Sequence, residues 1–133
     1  MAWAPCGPCR TLRRLRRSCT TGSAGIEATA RRLARFGAAA APAAPDLRRL
    51  WLHTPHSYAR AVYLEALTAI GATAGLNYAH TESLWDCQEQ ARLLGIAHAP
   101  DNRTTRARVT ELRDDPMEVA DVRAAAAERL AAA

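Results

Sequence analysis

Apolar residues recur three and four positions apart through the second half of the chain, and no stretch alternates with the period of a strand. Over residues 54–70, Ala59, Val62, Ala66 and Ala69 fall at helical spacing beside Tyr63, Leu67 and Ile70. Thr54 is placed to cap this helix, Pro55 suits its first position, and Gly71 suits a left-handed stop. A second helix is expected over 83–94, with Ser83 and Asp86 at its start, Leu84, Cys87, Ala91 and Leu94 along its inward face, and a stop at Gly95-Ile96. A third runs from about Arg103 to Arg113, with Val109 and Leu112 inward. The last is expected to begin with Asp115 as cap and Pro116 at its first position, and to bury Val119, Val122, Ala126 and Leu130.

Upstream the pattern weakens. Residues 26–41 carry an arginine-studded helical pattern with Leu33 and Phe36 on one side, but Gly37 and the APAAP run ending at Pro45 punctuate it and read as a linker. The expected organisation is a basic, disordered tail over 1–45 and a helical domain over 46–133. The fold class is all-α: a small bundle of four to five short helices.

Charge sharpens this division. Residues 1–60 hold eleven arginines against Glu27 and Asp46, a net +9, whereas residues 61–133 hold seven arginines against eleven acids, a net −4; the chain has no lysine. Such an N-terminus has the composition of an organelle transit peptide or of a tail for nucleic acid or anionic membranes. Alanine inflates the 49% hydrophobic content, and its small side chain buries little area. The expected anchors therefore include Trp51, Tyr58, Tyr63, Leu67, Ile70, Trp85, Val119 and Val122. A chain so thinly supplied is expected to self-associate. The longest uncharged run, Ala66 to Thr81, is shorter than the roughly 20 residues of a membrane span. With no apolar signal core, the cytoplasm is the expected compartment, or an organelle matrix if the tail is a transit peptide.

Cys6-Gly7-Pro8-Cys9 has the spacing of a redox pair, but five residues before it leave no room for the strand such a site needs. His53, His56, His80 and Cys87 are residue types that bind zinc, in a spacing that fits no compact zinc pattern, so no metal or other cofactor is expected.

Three segments carry a resemblance. LHTPHSYARAVYLEAL, SLWDCQEQARLLGI and LRDDPMEVADVRAAAAERLAAA together resemble, in this order, the opening, active-site and closing helices of the carboxymuconolactone decarboxylase and alkylhydroperoxidase D-like superfamily, over residues 47–131. The resemblance implies a helical oligomer with peroxidase (oxidoreductase) or decarboxylase chemistry. Peroxidase members carry Cys-x-x-Cys-x-x-x-His on the active-site helix; counting back from Gly95 puts Cys87 at the histidine, and Ser83 and His80 at the cysteines. The decarboxylase pattern of an acid and a tryptophan before a histidine is met only by Trp85. The family's second helix finds no room between Gly71 and Thr81. Any retained chemistry would rest on Cys87, with His80 about two helical turns upstream, and the expectation is a shortened, catalytically degenerate scaffold.

A rival reading comes from QARLLGIAHAPDNRTTRARVTEL, which resembles a DNA-binding helix-turn-helix with Arg103, Arg106 and Arg108 facing the duplex and the basic tail adding affinity. Asp114, Asp115, Glu118 and Asp121 follow at once and would repel a phosphate backbone.

Overall fold

The computed structural model describes residues 25–132. Their regular structure is all helical, with no strand among them: α1 (25–36), a 3-10 segment (Gly37–Ala43), α2 (Ala44–His53), α3 (Ser57–Ile70), α4 (Leu76–Ser83), α5 (Glu89–His98), α6 (Arg103–Asp114) and α7 (Ala120–Ala131). The all-α expectation holds, and the tail expectation for residues 1–24 lies outside the described residues.

The boundary expected at residue 45 falls inside packed structure. Ala30, Ala40 and Ala44 are buried in the same core as Leu47, Trp51, Tyr63 and Leu67. The APAAP run forms part of the 3-10 segment and the start of α2 rather than a linker. Its alanines are small enough to let the backbone lie close to α3, and Pro45 sits in the first turn of α2, where no N–H is required. Gly37, at φ +53°, makes the turn out of α1.

Two apolar clusters divide the molecule. The first joins α1, the 3-10 segment, α2, α3 and α4, and half of its twelve buried members are alanine. The second joins Leu84 to α5, α6 and α7 through Ile96, Val109, Leu112, Val122 and Ala126. Helix α5 ties them together, since Leu94 packs on the first and Leu93 on the second.

Several helix ends differ from expectation, each for a local reason. Helix α3 begins two residues after Pro55, and Thr54 instead ends α2 while its hydroxyl accepts the His56 N–H at 3.3 Å. Gly71 does stop α3, at φ +73°, and the Ala72 N–H closes the last turn onto Leu67 O at 3.2 Å. Helix α4 occupies the stretch in which no helix was expected, starting from Gly75 at φ +73°. The helix expected over 83–94 is split between α4 and α5. Asp86 accepts the Gln88 N–H at 2.9 Å, and a side chain that captures a nearby amide competes with the helical ladder. Gly95 lies inside α5 rather than at its end. A Cβ there would come within 2.9 Å of His80 O and 3.0 Å of Leu84 N, so glycine is what lets α5 press against α4. Helix α6 is as expected, with Asn102 accepting the Thr105 N–H at 2.9 Å. Helix α7 starts four residues after Pro116, because Asp115 accepts the Met117 N–H at 2.8 Å and Glu118 turns towards Arg92.

Three expected anchors are not in the core: Tyr58, Trp85 and Val119 are each about half exposed.

Candidate functional site

The residues assigned chemistry in the sequence lie on and around the α4–α5 connection, residues 84–88. This loop is held on three sides. Asp86 faces Arg60 of α3, with Nε 2.9 Å from Oδ2 in an ion pair that is not aligned as a hydrogen bond. The Asp86 carbonyl accepts from Arg92 of α5 at 2.7 Å, and Gln88 donates to the Ser57 hydroxyl at 2.9 Å. Arg92 also donates to Glu118 at 2.7 Å, a pair with only 11% and 9% of the two side chains exposed, which fastens the loop before α7 to α5.

Cys87 projects from this loop and is exposed. The expectation that it lies on the inward face of a helix is overturned, because the helix that would have carried it is interrupted by Asp86. It lies outside any helix, one residue before Gln88, the N-cap of α5.

His80 has the opposite setting. It is 3% exposed on α4, its ring stacks on His98 of α5 at 5.1 Å, and its Nε2 lies 2.8 Å from the Thr68 hydroxyl of α3. The Thr68 O–H already donates to Leu64 O at 2.8 Å, so its oxygen accepts, and the imidazole proton sits on Nε2. Burial, reinforced by His98, pushes the His80 pKa down to about 4, so the ring is neutral at physiological pH. Ser83, at the other family cysteine position, is buried and donates to Ala79 O at 2.7 Å. The site residues are thus separated by environment, Cys87 in solvent and His80 sealed among three helices.

Beside Asp86 opens a cleft of about 310 Å³ lined by Trp51, Leu52, Arg60, Tyr78, Glu82 and Trp85. Trp51 is buried and meets Tyr78 edge-on at 6.4 Å, with its indole N–H lacking a partner, whereas Leu52, Tyr78 and Trp85 are about half exposed. The Arg108 guanidinium lies over Trp85, 5.5 Å from the ring centre. Tyr63 has a hydroxyl whose pKa is raised, first by burial and then by Glu27 and Tyr58, so it too stays protonated.

Two of the three arginines of the rival reading are held by acids. Arg106 holds Asp101 through two bonds of 2.5 and 2.7 Å, and Arg108 pairs with Glu111 at 3.0 Å and donates to Leu84 O at 3.2 Å. Arg103 is exposed at the start of α6.

Among the described residues, no three His, Cys, Asp or Glu side chains gather in a way that holds a metal ion, and no helix is long and apolar enough to cross a membrane. Neither Arg60 with Asp86 nor Thr68 with His80 was visible from spacing, since one pair joins α3 to the α4–α5 loop and the other α3 to α4, and only packing brings the members together. No protein-family model, no curated protein and no solved structure matches the chain.

Proposed function

We propose that this is a non-catalytic helical protein, built on a scaffold that resembles the carboxymuconolactone decarboxylase and alkylhydroperoxidase D-like superfamily without its chemistry, and that it acts by binding. The observation that carries this reading is the separation of Cys87 from His80. A peroxidatic thiol needs a cation or helix terminus to hold its thiolate and a second thiol to resolve its sulfenic acid. The position for that second thiol is Ser83, whose hydroxyl is committed to Ala79 O. A relay imidazole must exchange protons with solvent or substrate, and His80 is buried and neutral.

The test is peroxide consumption under a regenerating dithiol. No catalytic turnover is expected, with at most one slow stoichiometric reaction that Cys87→Ser abolishes; repeated turnovers by the wild type that disappear in that variant would overturn the proposal. Self-association belongs to the same reading. It is supported by the alanine-heavy first core and by the exposed Leu52, Tyr78 and Trp85 around one cleft. Light scattering that returns a monomer mass, together with a cooperative melt, would remove it.

A further inference from the structure

We propose that the solvent face of α1 binds the phosphate backbone of duplex nucleic acid, through Arg31, Arg32 and Arg35. This goes beyond the absence of catalysis and stands or falls separately from it. All three arginines are exposed, and none forms an ion pair within 4.0 Å among the described residues. Five arginines elsewhere, Arg60, Arg92, Arg106, Arg108 and Arg113, each face an acid, and Arg48, Arg123 and Arg129 donate to backbone carbonyls, whereas Arg49 and Arg103 are exposed without an ion pair among the described residues. The outward side of α1 carries no acid. Glu27, its one acidic residue, is buried and lines a cleft with Arg31, and Glu65 of α3 lines the clefts beside Arg31 and Arg35 without an ion pair to either. The chain before α1 continues the same sign, with Arg10, Arg13, Arg14, Arg16 and Arg17 and no acid in residues 1–24.

Geometry favours a phosphate backbone over a lipid surface. Arg31 and Arg35 are one turn apart, roughly 6 Å along the axis at about 1.5 Å per residue. A duplex carries on each strand one phosphate per roughly 3.4 Å of its axis, a density of negative charge that lets both arginines face phosphates at once. Guanidinium forks bind phosphate oxygens in pairs, which an all-arginine face exploits fully. A membrane-surface helix instead needs a broad apolar side to sink among the lipids. The apolar side of α1 is already packed into the first core through Ala30, Leu33 and Ala34, leaving only Ile26 and Phe36 to project. The proposal also moves the nucleic-acid surface away from α6, where Arg106 and Arg108 are held by Asp101 and Glu111.

The experiment titrates the full chain against a short duplex DNA of arbitrary sequence at several salt concentrations, following anisotropy. Log affinity is expected to fall linearly with log salt, and replacing Arg31, Arg32 and Arg35 together by Ala should reduce the steepness of that line by about 2 to 3 and weaken binding to all sequences alike. The corresponding triple Lys variant should keep the slope at lower affinity, and circular dichroism should show both variants folded, since the replaced side chains are exposed. The proposal is overturned if the wild type does not bind the duplex, if the Ala variant keeps wild-type affinity and slope, or if the loss follows Arg106→Ala and Arg108→Ala instead. It is also overturned if the three arginines are needed for vesicles containing phosphatidylserine but not for the duplex.

Discussion

The arginines of α1 and those of α5 and α6 are the same residue put to two uses. In the second region they are cross-links: Arg92 joins the α4–α5 loop to Glu118, Arg106 clasps Asp101, and Arg108 spans Trp85, Leu84 O and Glu111. On α1 they point into solvent with no acid paired to them. The difference follows from where the acids are. Eleven of thirteen lie after residue 60, so Arg92, Arg106, Arg108 and Arg113 find an acid there, although Arg103 does not, while the three arginines of α1 have none paired to them among the described residues. The cores differ in parallel: the first is half alanine, and the second relies on Leu84, Ile96, Val109, Leu112 and Val122.

The largest effect should come from breaking the most buried cross-link. Glu118→Ala leaves the Arg92 guanidinium buried without its acid and is expected to destabilise by about 3–5 kcal/mol in a denaturant melt; a loss near zero would mean that the second region does not depend on its arginine links. Next comes the seam between the regions. The folded-state pKa of His80 lies below that of the unfolded chain, so its neutral form contributes stability that is complete above about pH 6.5 and is lost as pH falls towards about 4. That loss is expected to be on the order of 3 kcal/mol, read from melts across this window, and His80→Gln should flatten the profile.

Gly95→Ala probes the same seam sterically. A methyl group placed 2.9 Å from His80 O forces α4 and α5 apart and should cost about 1–3 kcal/mol, visible as a lower melting midpoint. The smallest effects should come from the exposed arginines. Arg106→Ala breaks a solvent-exposed pair, and Arg32→Ala breaks none; neither should move the melting midpoint measurably. If Arg32→Ala did destabilise the fold, α1 would be a structural element rather than a presenting one.

Sequence patterning read the helical class, the Gly71 stop, and helix α6 with its inward Val109 and Leu112, because each depends on residues within a few positions of one another. It read α4 and the start of α7 poorly. Gly75 and Leu76 carry no strong start signal, and the Asp115-Pro116 cap is overridden by the pull of Arg92 on Glu118 from another helix. It placed Cys87 inward by extending a helix through Asp86, a residue that bonds Gln88 and pairs with Arg60 instead. It treated Gly95 as a stop, although an invisible neighbour, the backbone of α4, was the reason for glycine.

What the amino-acid sequence determined alone is the material: helices from spacing, the thin alanine-rich supply of apolar area, and the segregation of acids to one half. Tertiary structure decided the rest. Only packing made Ala30, Ala40 and Ala44 part of the core, sealed His80 between Thr68 and His98, left Cys87 in solvent, and determined which arginines meet an acid. The physical reason is range. Helix propensity and capping act over about one turn, whereas burial and charge pairing depend on which helices come together, and that is a property of the whole fold.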